Sequence, residues 1–596
     1  MSRHALTAEP AVVSSGSAGA PAGLDDTPVK MSHRQVLEAL SGLLLGMFVA
    51  ILASTVVSTS LPRIIGDLGG GESAYTWVVT STLLATTVTT PVWGKFADLF
   101  NRKLLIQLAL VIFVLGSALA GFSQNPGTLI TFRVLQGVGA GGLTALSQII
   151  MADIISPRER GRYMGLFGAV MAVGTVGGPL FGGFLTDGLG WRWNFFVGVP
   201  FAIAAIILLQ FTLKLRARAA RKVKIDYLGA VLIAGGVSLL LIWVTLAGSQ
   251  FGWASLATVL MVGGAVVALV LAVVVEIRAE EPILPMTLFK NRTFTLAVIA
   301  SVVVGIAMFG TSVYLAQYMQ LARGATPTES GLLTLPMIVG LLLSSTVVGS
   351  IISKTGKWKR YMVGGTISLV VGMFLMGTIA YDTPYPIVGV FMFLMGAGIG
   401  AVMQNLVLVV QNTTEAKNIG SASAGVAFFR SLGGTIGVSV LGTILGSRIT
   451  TLLGDKQTEM TEAVRSLGAQ GATVAKELAS GSIPNVAELP RAVRIIVESA
   501  YGTGIANVFL IAAPIAIIAI IAVAFLPNKE LTTQTVAERA AEQPGIDPAS
   551  VAPGMPNQAS VTAPVATAAG AGTAAEDPQD ADRDSQPVGA GRAADS

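Results

Sequence analysis

Gly94-Lys-Phe-Ala-Asp98-Leu-Phe-Asn101-Arg102-Lys103 separates two long apolar runs, and Gly349-Ser-Ile-Ile-Ser353-Lys-Thr-Gly356-Lys357 separates two others later in the chain. A second pair of stretches follows in the same order. Leu135-Gln-Gly137-Val-Gly139-Ala-Gly141 lies in the second apolar run beyond the first loop, and Leu394-Met-Gly396-Ala-Gly398-Ile-Gly400 in the second run beyond the other. Motifs that recur in register mark a duplicated unit, and paired bundles rocking about a site between them are the architecture of alternating access.

Working outward, about fourteen runs are long enough to cross roughly 30 Å of hydrocarbon, which takes about 20 helical residues. They are expected near 37–62, 75–96, 103–122, 127–150, 162–186, 194–214, 226–247, 255–277, 294–318, 329–353, 361–380, 385–410, 420–446 and 501–526. The repeated unit is six runs long, so the seventh and eighth are an insertion. The expected fold is all-α: a six-helix bundle over 36–214, a two-helix linker over 215–293 and a second six-helix bundle over 294–528. An extramembrane loop is expected over 447–500, with short amphipathic helices at Val474–Leu478 and Ala492–Val497. The flanks, 1–35 and 529–596, are rich in Ala, Pro, Gly and Ser or Asp and are expected to be disordered tails.

Only 12% of the 596 residues are charged, about half the share of a soluble domain, and mean hydropathy is +0.72. With no cysteine there is no disulfide, thiolate nucleophile or cysteine–metal site. His4 and His33, the two histidines, precede the first run, so no histidine relay or metal centre is expected within the membrane, and no cofactor is implied. The net charge of +5 comes from residues that punctuate the runs and form no single basic face, which argues against nucleic acid. Twenty lysines and arginines fall in short loops on one side, against Arg63, Arg192 and Arg323 on the other. That bias predicts both termini in the cytoplasm, and the expected location is the cell (inner) membrane. No nucleotide-binding loop of the form G-x-x-x-x-G-K-[ST] is present, which removes a primary pump, and no catalytic group is expected at depth, which removes an enzyme.

Two arginines are expected inside runs, Arg133 in the fourth and Arg430 in the thirteenth. Each must face a cavity or a partner to offset the cost of burial. The fifth run carries Gly174-x-x-x-Gly178-Pro179-x-x-Gly182-Gly183, in which glycines four apart line one helix face and a proline bends it.

These stretches resemble motifs of the major facilitator superfamily, and the count of fourteen is similar to its EmrB/QacA-type drug:proton antiporters. The loop at 94–103 resembles G-x-x-x-D-R/K-x-G-R-R/K, with Leu99 in place of a basic residue and Asn101 in place of a glycine. Asn also tolerates a left-handed turn, so that change is expected to be mild. The resemblance implies that Gly94, Asp98 and Arg102 latch an inner gate, that Arg133 takes part in proton coupling, and that Gly174 to Gly183 form the antiporter motif. A topogenic loop, a structural arginine and a plain packing stripe are the competing readings.

One departure is larger. Where the resemblance implies L-D-x-T-I-V-N-x-A-L-P in the first run, this chain has Leu52-Ala53-Ser54-Thr55-Val-Val-Ser58-Thr-Ser-Leu61-Pro62. The aspartate is lost, and Glu38, Asp98, Asp226, Glu276, Glu329 and Asp382, the acids nearest the runs, are expected at their ends. Proton coupling is therefore expected to use an edge carboxylate, Asp98 or Glu329, with Glu38 a third if the first run starts earlier; sodium coupling or downhill exchange is the opposing reading, and lipophilic cations are expected to be poor substrates. The resemblance places Ser58, Gln148, Tyr314, Gln317, Gln404, Asn405, Gln411 and Arg430 around a substrate cavity, each equally able to serve as an interhelical hydrogen bond.

The sequence thus reads as a secondary exporter of lipophilic small molecules, driven by protons, and acting as a monomer in the bilayer. The alternative is an exporter of a lipid, a cell-envelope precursor or a specialised metabolite with non-standard ion coupling.

Overall fold

The computed structural model describes residues 33–69, 72–160, 163–213, 226–247, 250–468, 470–471, 486 and 489–533. Fourteen long helices cover them: α1 (His33–Asp67), α2 (Glu72–Leu99), α3 (Arg102–Gly121), α4 (Pro126–Ile154), α5 (Met164–Gly188), α6 (Trp193–Thr212), α7 (Tyr227–Leu246), α8 (Leu256–Arg278), α9 (Arg292–Gln317), α10 (Leu335–Thr355), α11 (Lys359–Met376), α12 (Tyr385–Thr413), α13 (Ile419–Asp455) and α14 (Arg491–Ala524). Eleven of these are long and apolar enough to cross a membrane. Surface residues on them are apolar in rows, such as Leu260, Val267 and Val270 on α8, as a lipid-facing surface requires.

Packing repeats with the sequence. In the first half α4 packs on α2 and α3, and α1 on α5 and α6; in the second α12 packs on α10 and α11, and α9 on α13 and α14. The glycine triplets explain the first of these sets. Gly137 and Gly141 turn toward α2, and Gly139 toward α3. Gly396 and Gly400 turn toward α10, and Gly398 toward α11. A Cβ at Gly139 or Gly398 would stand 2.5 Å from the backbone nitrogen of Phe113 or Leu369. Only a hydrogen fits there, and backbones in contact are how membrane helices gain packing energy without a hydrophobic drive. The halves meet through α2 on α13 and α5 on α10, a symmetric pair of crossings, while α7 and α8 pack on each other, with α7 also against α2 and α13.

Several expectations change. Both ends of the loop expected over 447–500 are helical among the described residues: α13 runs on to Asp455, a helix follows at Gln457–Ser466, and α14 begins at Arg491. Ala492–Val497 is thus the start of α14, where Val493 and Val497 are buried, and is not a separate amphipathic helix. Val474–Leu478 lies outside the described residues. The tenth run is broken at Thr334 into Pro327–Leu333 and α10. Asn101 is not left-handed; at φ −67° it caps α3, accepting the Lys103 N–H at 2.9 Å. Its short amide fills the orphan-donor position at a helix start. Finally, 529–533 is held on the bundle. Trp358 Nε1 donates to the Lys529 carbonyl (2.7 Å) and the Thr532 N–H donates to Asn412 Oδ1 (3.0 Å).

Gly139→Ala and Gly398→Ala should each lower the unfolding midpoint of the purified protein by several degrees, since overpacking costs about 1–3 kcal/mol. Gly364→Ala, on an open face with nothing within 4 Å, should leave it unchanged in the same thermal-shift series.

Candidate functional site

At the Lys/Arg-rich end, α2 and α13 approach closely enough for Gly94 to face Gly420 and Ala424. Asp98, in the last turn of α2, thereby reaches the first turn of α13. Its carboxylate accepts the Gly420 N–H (2.9 Å), the Ser421 N–H (2.8 Å) and the Ser421 hydroxyl (2.9 Å). A carboxylate on unpaired N–H groups at a helix start is favoured by charge-assisted bonding and by the helix dipole. Arg102 opens α3 beneath it. Its Nε donates to the Ala97 carbonyl (2.9 Å), Nη1 pairs with Asp153 near the end of α4, and Nη2 lies 3.8 Å from Asp98.

The symmetric crossing is built differently. Ser353 stands where Asp98 stands in the first half, so no carboxylate is available. Instead Arg158 donates to the Ser353 and Lys354 carbonyls at the end of α10 (3.3 and 3.2 Å). Arg160, fully enclosed, pairs with Gln411 of α12, which also donates to Ser423 (2.7 Å) and weakly to the Gln148 carbonyl (3.5 Å). The Arg158 N–H donates to Thr532 (3.3 Å), so the segment after α14 joins the closure. These bonds tie the two halves together at the basic end.

Asp98 and Arg102 were legible in the sequence; Asp153, Arg158, Arg160 and Ser421 were not singled out. Asp153 was missed because the fourth run was ended at 150, whereas α4 continues to Ile154. The same error hid Glu498, buried in α14 and paired with Arg494 at 2.7 Å.

The two arginines are buried as expected, without carboxylate partners among the described residues. Arg133 donates to Gln136 Oε1 (2.7 Å) and, at 3.4 Å, to the Val78 carbonyl of α2. It sits two turns inside α4, nearer the end opposite the basic one than the middle. Arg430 lies three turns inside α13, near mid-depth, and its Nη1 is enclosed with no hydrogen-bond partner.

The remaining candidates separate. Gln148 and Asn405 are buried, each with a side-chain oxygen lacking a partner, and the Asn405 amide N–H donates to its own helix at Ala401 (2.7 Å). Tyr314 donates to the Val438 carbonyl of α13, which makes it an α9–α13 tie. Gln317 ends α9, and Gln404 is half-buried. The side chains of Ser58, Pro179 and Gly183 lie outside those described. Gly174, Gly178 and Gly182 face Ile51, Thr55 and Val56, and the Thr55 hydroxyl donates to the Gly174 carbonyl (2.9 Å). That stripe is the α1–α5 crossing, and Gly433 and Gly437 make its counterpart against Val302 and Ile306 of α9.

Glu329 stands apart from both gate and arginines. It is exposed in a reciprocal cap with Thr326, whose N–H (2.8 Å) and hydroxyl (3.0 Å) donate to its carboxylate. Those bonds hold it below the usual carboxylate range. Ala53, in place of the expected aspartate, is buried in apolar packing.

Comparison with known proteins agrees with this geometry. The Major Facilitator Superfamily model matches residues 43–438. An MFS-type transporter of Mycobacterium tuberculosis, Rv1877, is 36% identical over 492 residues, covering 83% of this chain and 69% of that protein. The multidrug transporter protein MdtP of Bacillus subtilis is 35% identical over 449 residues, covering 75% and 82%. The fold of the proton:xylose symporter XylE superposes with a TM-score of 0.54 at 14% identity, covering 86% of this chain and 99% of that one. The chain belongs to the major facilitator superfamily and is a multi-pass membrane transporter, not an enzyme.

Proposed function

We infer that the protein exports lipophilic small molecules from the cytoplasm by proton antiport, with the basic end facing inward. The observation that carries the export reading is its 35% identity, over 82% of that relative, to a named multidrug transporter. The inward orientation rests on the loop charges. Supporting alternating access, the halves are tied at the basic end by bonds that must break for a central site to open inward.

The substrate class follows from the buried charges. Arg133 and Arg430 have no carboxylate beside them, and the aspartate expected in α1 is replaced by Ala53. A substrate site beside arginines without acids favours neutral or anionic amphiphiles over lipophilic cations. The same observation favours the second reading, export of an acidic lipid or specialised metabolite.

In this scheme Asp98 and Arg102 work the gate. Glu329, the other carboxylate expected to couple protons, is held ionised by its cap and is a poor carrier, so coupling falls to acids at the basic end.

Proteoliposomes with an imposed pH gradient test the function. Anilinonaphthalene sulfonate should move against its gradient and tetraphenylphosphonium should not; movement of the cation alone would overturn the substrate class, and no gradient-driven movement of either would overturn antiport. The gate is tested in the cysteine-free chain with Ser147→Cys as a buried reporter. Asp98→Asn weakens bonds worth about 1.5–3 kcal/mol, so thiol labelling from the basic side should rise roughly tenfold or more. Unchanged labelling would show that Asp98 does not hold the gate.

A further inference from the structure

The inserted hairpin brings two acids together at the basic end. Asp226 caps α7, with Oδ1 accepting the Gly229 N–H at 2.7 Å, and its Oδ2 is enclosed without a partner. Glu276, in the last turn of α8, is 2% exposed. Its Oε2 accepts the Leu284 N–H (3.1 Å), and its Oε1 is also enclosed without a partner. Both unpaired oxygens border the space beside Gly229. A Cβ there would lie 2.9 Å from Glu276 Oε1 and directly against the Asp226 carboxylate. The absence of a side chain at 229 leaves the two oxygens facing one hollow.

Two enclosed carboxylates that face each other cannot both stay charged without a cation between them. Among the described residues the nearby cation is Lys95, on α2, but its ammonium is held by Glu281 at 2.7 Å. Lys95 is itself nearly enclosed, and it follows Gly94 and precedes Asp98 on the gate helix. Asp226, Glu276, Lys95 and Glu281 are thus the charged groups that α2, α7, α8 and the segment after α8 bring together. Of the two acids, Asp226 has the favourable end of a helix dipole, and Glu276 the unfavourable one.

We propose that Asp226 and Glu276 form a proton site on the inserted hairpin, binding one proton between their facing oxygens and acting on the gate through Lys95. Release breaks the carboxylic O–H bond and passes the proton to water at the basic end. The second negative charge then draws on Lys95 and changes how firmly the end of α2, with Asp98, is held. The proposal rests on the antiport reading only for its role in transport.

The variants Glu276→Gln and Asp226→Asn keep an oxygen to accept the Leu284 and Gly229 N–H groups, so both retain the local fold and lose only the titrating proton. Infrared difference spectra of the protein in nanodiscs, taken across a pH series, should show the carbonyl band of an enclosed carboxylic acid, and Glu276→Gln should abolish it. Ser147→Cys labelling from the basic side should change at least threefold with pH in the parent and stay flat in Glu276→Gln. Asp226→Asn, with its partner acid alone in the hollow, should shift the band and its midpoint. A band or a pH response that survives both amides overturns the proton site. Gradient-driven flux of anilinonaphthalene sulfonate in the parent separates the two ideas. Flux with a surviving band sinks this site and spares antiport; no flux with a band lost in Glu276→Gln sinks antiport and leaves a proton-sensing gate.

Discussion

A carboxylate from one half sits on the first turn of a helix from the other. This arrangement exists because Gly94 and Gly420 carry no side chains at the crossing of α2 and α13. With a Cβ on either, the helices would part by an ångström or more and Asp98 would lose the Gly420 and Ser421 N–H groups. Glycine here provides reach for a charged group as well as close packing. The bond is strong enough to favour closure and, because it is one carboxylate on the donors of a single helix turn, local enough to be released. Arg102 strengthens this dependence, since it joins Asp98 to Asp153 and so joins α2, α3 and α4 into one moving piece.

The duplicated halves share their packing and differ in their chemistry. The glycine triplets of α4 and α12 face the same neighbours in each half, down to which glycine meets which helix. The polar ends diverge. Where the first half offers a carboxylate, the second offers backbone carbonyls to Arg158, and where α4 ends on Asp153, α12 ends near Asn412, which holds the segment after α14. Packing is constrained by geometry that both halves must satisfy. The charges are free to differ because each closure needs only one compatible donor–acceptor set.

That distinction explains what could be read from the sequence. The helix count, the repeat, the inserted pair and the small-residue crossings follow from apolar length and glycine spacing, which act locally. Asp98, Arg102, Arg133 and Arg430 stood out because charges are sparse near apolar runs. Asp153 did not, because a hydropathy boundary drawn at 150 cut off the last turn of α4, and only its pairing with Arg102 shows that the helix goes on. The 447–500 segment misled for the opposite reason. Polar residues such as Arg491 and Glu498 lowered its hydropathy, yet they lie on the opening turns of α14, where Arg494 and Glu498 neutralise each other. Asn101 was read for its backbone tolerance and turned out to act through its side chain. Which residues from distant helices meet, as with Arg160 and Gln411, depends on the bundle and carries no local mark.

The charge distribution has a consistent direction. A guanidinium at the centre of a spanning helix costs roughly 2.5–3.5 kcal/mol even on lenient insertion scales, and Arg430, near mid-depth, meets that cost without a neighbouring acid among the described residues, as Arg133 does nearer its helix end. The acids have instead collected at the basic end, at Asp98, Asp153, Asp226, Glu276 and Glu281, where α2, α4 and the inserted hairpin meet. Buried positive groups and titratable acids are thereby separated along the helices: Arg133 and Arg430 lie inside α4 and α13, and the acids lie where the two halves are tied at the basic end. Ala53, packed among apolar residues of α1, adds no acid at the level of the arginines. Within that basic end α2, which carries Lys95 toward the hairpin and Asp98 toward α13, is the helix that joins the two groups of acids.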